Sequence, residues 1–242
     1  MANLGTTIIE ALGLPGAGKS TILNAAIRSL QEQGYQVGTF ADLITFGASL
    51  TRRQKILSLL PTQSVAQFSY AATHSISTLL LGHPNFRVVA SLPFHENRLE
   101  KYVANFDLDY IILDQWTFQA FWSSRIGNPA PANRAGLAFL RYSLAHLPRH
   151  FIYFPIDPTQ AAKRVTMRKH GRSRFDNESE DMLLKRFRSE AFKMTQIQEF
   201  VKAEGGNIVC LDPLQPIGLN SLKVLDYISS FSPRSISTNL EK

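Results

Sequence analysis

The chain reads as a single α/β domain: a parallel five-stranded sheet covered by helices on both faces, in three layers. Three observations predict this. Short apolar runs alternate with helical periodicity along the chain. The first of these runs passes through a glycine-rich turn directly into a helix. No linker-like stretch divides the 242 residues, which suffice to bury one substantial core. Such alternation sets helices between parallel strands.

Residues 7–12, Thr-Ile-Ile-Glu-Ala-Leu, read as a buried strand. Residues 19–33 follow as a helix with Ile22, Leu23, Ala26, Ile27 and Leu30 at helical spacing, and Gly34 stops it. Further strands are expected at 36–40, 110–113, 151–154 and 207–211. Helices are expected at 63–81, 93–104, 116–125, 132–147, 159–169, 179–203 and 219–229. Residues 86–92 fit a strand or a helix end equally. The domain spans 1–230, and the serine-rich stretch 231–242, without a periodic apolar face, is expected to be a flexible tail.

Hydrophobic content of 44% and charged content of 19% are ordinary for a soluble globular protein, and no apolar run approaches the roughly 20 residues of a membrane span. The expected setting is cytoplasmic and away from membranes, because the first strand begins almost at once and no basic leader precedes it. Cys210, the one cysteine, lies within the run 207–211 and reads as a core residue. Intrachain disulfides are thereby excluded. His146 and His150 are separated by Pro148, which breaks the helix that would align them as metal ligands.

One stretch carries the chemistry. Gly13-Leu14-Pro15-Gly16-Ala17-Gly18-Lys19-Ser20 fits the pattern G-x-x-x-x-G-K-[ST] at every fixed position, between a strand and a helix. Glycines let the backbone curl so that successive N–H groups point inward, and Lys19 reaches the β- and γ-phosphates. Ser20 supplies a hydroxyl for Mg²⁺, and the helix that runs on through Thr21 adds its positive dipole end. The chain therefore has the signature of a P-loop NTPase fold that binds a nucleoside triphosphate with Mg²⁺.

In parallel sheets ligands sit at the carboxyl ends of the strands. The run 110–113 ends at Asp114, where a carboxylate can hold a metal-bound water or accept a proton from an acceptor hydroxyl; a cap for the helix near Trp116 is the alternative. The strand at 36–40 leads to Asp42, a second carboxylate that could face the acceptor or instead serve as a helix cap or turn residue. The net charge of +7 is concentrated in part at Lys163, Arg164, Arg168, Lys169, Arg172 and Arg174. Arg172 and Arg174 follow Gly171 in what reads as a loop, and residues 168–178 form an arginine-rich lid able to close over phosphates. A solvated basic helix face is the alternative. No aromatic-interleaved platform for nucleic acid is present. Further acceptor-side candidates are Arg52, Arg53, Tyr70, His74, His95 and Arg98, with Trp116 and Phe118 able either to stack on a base or to pack in the core.

Taken together these motifs resemble the thymidylate kinase family of P-loop nucleoside and nucleotide kinases. Gly13 to Ser20 resembles its phosphate loop, Asp114-Gln115-Trp116 its Asp-Arg-Tyr motif, Arg164 to Asp176 its lid, and Asp212-Pro213 its loop beside the adenine. The resemblance implies ATP and Mg²⁺ as cofactors and γ-phosphoryl transfer to a small-molecule acceptor, a nucleoside or nucleoside monophosphate. It implies catalytic roles for Lys19, Asp114, Arg168, Arg172 and Arg174; Asp42, Arg98, Gln115 and Trp116 are the acceptor-side candidates in this sequence. The chain departs from the family at Pro15, where an acidic residue is usual, and at Gln115, which replaces an arginine that binds the acceptor phosphate. A neutral amide cannot supply that bidentate, charge-assisted contact. The alternatives are a kinase for a sugar or antibiotic hydroxyl, and a nucleotide switch without transfer; a homodimer is left open.

Overall fold

The computed structural model describes residues 5–49, 51, 86–124, 132–168, 175 and 178–231. The candidates Arg52, Arg53, Tyr70, His74, Arg172 and Arg174, the helix expected at 63–81 and nearly all of the expected tail lie outside them. The described elements run β1 (Thr7–Leu12), α1 (Lys19–Glu32), β2 (Val37–Thr39), α2 (Phe40–Ser49), α3 (Phe86–Asn105), β3 (Tyr110–Leu113), α4 (Thr117–Ser124), α5 (Ala132–His146), β4 (His150–Tyr153), α6 (Pro158–Thr166), α7 (Glu180–Ala203), β5 (Ile208–Cys210) and α8 (Ile217–Ser229). The five strands form one parallel sheet in the order β2-β3-β1-β4-β5. Among the described residues no helix is long and apolar enough to cross a membrane.

The alternation of β1 explains the layering. Ile9 and Ala11 join Tyr110, Ile112, Ile152 and Phe154 on the face covered by α1 and α8. Ile8 joins Ile111, Leu113 and residues of α2 and α3. Leu12 packs with α4, α6 and α7. The central strand is thus buried throughout, and its carboxyl end opens directly into the phosphate loop.

Several expectations are corrected. Phe40 does not end a strand but begins α2, because Thr39 and Asp42 make a reciprocal cap: the Thr39 N–H donates to Asp42 Oδ2 at 2.8 Å and the Asp42 N–H to Thr39 Oγ1 at 3.3 Å. The ambiguous stretch 86–92 is helical, and Pro93, expected at a helix start, lies inside the 20-residue α3. The helix expected at 159–169 stops at Thr166 with Met167 as its cap, so Arg168 lies beyond the helix that carries Arg164. Cys210 is exposed rather than core, at the end of β5, an edge strand of the sheet.

Candidate functional site

The phosphate loop leaves β1 through three glycines with positive φ: Gly13 at 148°, Gly16 at 90° and Gly18 at 82°. A Cβ on Gly16 would lie 2.7 Å from the Ala161 carbonyl oxygen, so glycine is required by close approach of α6 as well as by backbone angle. Leu14 and Ala17 are buried, Pro15 is half-buried, and the Ala17 N–H closes the turn on Leu14 O at 3.2 Å. Gly18 caps α1, whose first turn holds Lys19, Ser20 and the exposed Thr21.

Lys19 folds back over the loop, its Nζ donating to Gly13 O at 2.7 Å and Leu14 O at 3.1 Å. Burial lowers its pKa to about 8; Asp114 opposes this and Arg168 adds to it. The Ser20 hydroxyl donates to Asp114 Oδ2 at 2.6 Å, joining the loop to the end of β3. Asp114 Oδ1 is buried without a hydrogen-bond partner. A hydroxyl and an orphaned carboxylate oxygen beside a phosphate loop form the hard-oxygen donor set that Mg²⁺ prefers, so the residues fit that ion. From α6 and the residues just after it, Arg164 Nη1 donates to Gly16 O at 3.4 Å, and Arg168 is near enough to Lys19 to depress it electrostatically.

The acceptor-side candidates divide. Asp42 is engaged in the α2 cap, where both the N–H and the hydroxyl of Thr39 donate to it. Gln115 is exposed at the carboxyl end of β3. Trp116 is a core residue, 2% exposed, stacked on His95 with ring centroids 4.8 Å apart and met edge-on by Phe40 at 5.9 Å. Phe118 is likewise buried, packed edge-on against Phe151. Burial, followed by the charge of Arg98, pushes His95 down to about 4, which leaves the imidazole neutral at physiological pH. Arg98 lies against Gly47, so that α3 approaches α2 where glycine permits it.

Sequence reasoning missed one constellation. Glu10, in the middle of β1, accepts the Phe118 N–H at 2.6 Å and the Gln119 N–H at 3.1 Å, and so anchors the first turn of α4. Its other oxygen faces Arg149 Nη1 at 3.2 Å. Arg149 also forks onto Glu96 at 3.1 and 2.6 Å, donates to Ser143 Oγ at 3.0 Å and Leu147 O at 3.2 Å, and lies over the Phe118 ring at 5.7 Å. Glu96 accepts the Thr117 hydroxyl as well. Burial raises Glu10 to about 7 against the pull of Arg149. Glu96, also opposed by burial, is held below its ordinary value by the bidentate guanidinium, so it is the ionised partner. Gln119 completes the chain: its Oε1 accepts the Gly13 N–H at 3.1 Å. A lone glutamate inside an apolar strand was the available signal.

No family model matches the chain, and no curated protein matches it in sequence. Solved structures are similar to it in fold. A deoxyadenosine kinase from M. mycoides with dATP bound superposes with a TM-score of 0.52 at 15% identity, over 92% of this chain and 100% of that one. A structure of deoxyadenosine kinase from the same organism with the products dCMP and a flexible dCDP gives 0.49 at 15% identity, over 93% and 100%. The parallel sheet, its strand order and the likeness to the dATP-bound structure establish that this chain has the P-loop kinase fold.

Proposed function

We propose that the protein is a Mg-ATP-dependent kinase that transfers the γ-phosphoryl group to a small-molecule acceptor, a nucleoside or nucleoside monophosphate. The observation that carries this reading is the 2.6 Å bond between Ser20 at the head of the phosphate loop and Asp114 at the end of β3, with Asp114 Oδ1 left over. Sharing its fold with a deoxyadenosine kinase supports taking the nucleoside class for the acceptor.

Catalysis in this scheme is positioning and charge neutralisation. The loop amides from Gly13 to Ser20 cradle the phosphates, and Lys19 exchanges its two carbonyl partners for β- and γ-phosphate oxygens. Mg²⁺, held through Ser20 and Asp114, would neutralise charge on the β- and γ-phosphates. Arg168 adds a cation on the side of α6, and Arg172 and Arg174 belong to the same lid segment. Water exclusion by that lid favours the acceptor hydroxyl over hydrolysis.

Gln115 favours a second reading, because an exposed neutral amide in place of a phosphate-binding arginine suits an uncharged acceptor such as a sugar or antibiotic hydroxyl. Measuring ADP release from Mg-ATP with a panel of nucleosides, nucleoside monophosphates and sugars separates these outcomes. Release dependent on a nucleoside or its monophosphate is the expected result; release only with sugars selects the second reading, and acceptor-independent behaviour throughout rejects transfer in favour of a switch.

A further inference from the structure

The peptide that enters the phosphate loop is held by the sheet only on its carbonyl side, where Leu12 O accepts the Phe154 N–H at 2.9 Å. At Gly13 the backbone has left the strand, with φ at 148°, and a Cβ there would lie 2.8 Å from Phe154 O. Its N–H points to the buried side chain of Gln119 on α4, 106 residues away in sequence. The backbone of Gln119 is itself pinned on Glu10, and Glu10 is held in place by Arg149, which lies between it and Glu96. Thr117, the first residue of α4, is tied to the same Glu96. Each of these side chains is buried, and α4 begins three positions after Asp114. The chain of contacts thus holds both halves of the nucleotide site, the loop and the Asp114 segment, to one helix terminus.

We propose that Gln119 is a positioning residue for the bound nucleotide, setting the Gly13 peptide, and that Glu10 acts behind it by fixing the N-terminus of α4. This rests on the reading of Gly13 to Ser20 as the nucleotide loop. The helix-terminal amides are electropositive, and a carboxylate holds them more strongly than a carboxyl group does. The charged groups that face Glu10 are Arg149, preceding β4, and Glu96 on α3. Because burial brings Glu10 to about 7, its charge changes within the range where nucleotide binding is measured.

The test uses the full chain and a fluorescent ATP analogue with Mg²⁺. Gln119→Met keeps the length of the side chain but removes its acceptor, which strands the buried Gly13 N–H; the dissociation constant is expected to rise about tenfold in protein that remains folded by circular dichroism. Glu10→Gln retains an oxygen for the two amides but does not ionise. The ratio of wild-type to Glu10→Gln affinity is therefore expected to fall severalfold between pH 8 and pH 6, a change that a purely structural role would not produce. A folded Gln119→Met protein that binds within twofold of wild type overturns the proposal, and so does a ratio independent of pH. The second comparison stands whether or not Gln119→Met folds. Failure of the wild-type chain to bind the analogue defeats the nucleotide-site reading itself, whereas binding without transfer to any acceptor defeats only the kinase assignment.

Discussion

Replacing Arg149 with methionine should destabilise the protein far more than loss of a surface cation. The guanidinium is wholly buried and supplies hydrogen bonds to Glu10, Glu96, Ser143 and Leu147. Methionine leaves two carboxylates beneath the sheet with no counter-charge, and breaking a buried ion pair from one side costs about 3–5 kcal/mol. For a chain of this size each kcal/mol moves the melting temperature by roughly 2–4 °C, so a fall of about 6–20 °C is expected by differential scanning calorimetry. The pH dependence gives the stricter test. In the wild type the folded pKa of Glu10 lies above its ordinary value, so its stabilising contribution is fully present below about pH 4.5 and is lost as pH rises through about 7. In Arg149→Met both Glu10 and Glu96 favour the protonated form, so the deficit relative to wild type is greatest above pH 7 and narrows toward pH 5. A melting shift below about 2 °C, or a deficit that widens in acid, would refute the ion-network account.

Three further outcomes are expected. Nucleotide affinity should be steady below pH 8 and decline above it, approaching tenfold per pH unit, because Lys19 begins to lose its proton near 8 in the free protein; titrations from pH 7 to 9.5 should show this decline in wild type and a flat, at least hundredfold weaker response in Lys19→Met. Gly16→Ala should cost more stability in chemical denaturation than Gly34→Ala, about 2–3 against about 1 kcal/mol, since both have positive φ but only the first meets a carbonyl oxygen; equal losses would contradict the close packing of α6 on the loop. Cys210 should react with a thiol reagent in the native state at a rate little changed by denaturant, and a thiol that reacts only after unfolding would argue against its place on the sheet edge.

The fold was legible where the apolar periodicity was clean. The phosphate loop, the strand into Asp114 and the helices on either side could be read because each joins a recognisable pattern to a definite chemical demand. The beginning of α2 is not legible at Phe40, because Val37 to Phe40 is extended in character and Asp42 alone reads as a helix cap, a turn residue or an acceptor contact without its Thr39 partner. Cys210 was misplaced because an apolar run indicates a strand but not whether that strand lies at an edge. The buried network was invisible for another reason: Glu10, Glu96 and Arg149 are scattered along the chain, and nothing in local spacing states that three charges will share one interior position. The pairing of Ser20 with Asp114 is equally long-range, but there the chemistry of a metal-bound triphosphate supplied the link.

Sheet order also has a consequence for how the molecule is made. With β1 in the middle, its two neighbours come from much later in the chain: Ser20 and Asp114 are 94 residues apart, and Glu10 waits 139 residues for Arg149. Contacts of such separation form late and slow folding. A nascent chain that has emerged through α4 already carries the phosphate loop and Asp114, yet it holds a carboxylate in its central strand with neither β4 nor the arginine ahead of it. Capacity to bind nucleotide should therefore arise during synthesis only after residue 149 and β4 have left the ribosome, making the site a late marker of folding rather than an early nucleus.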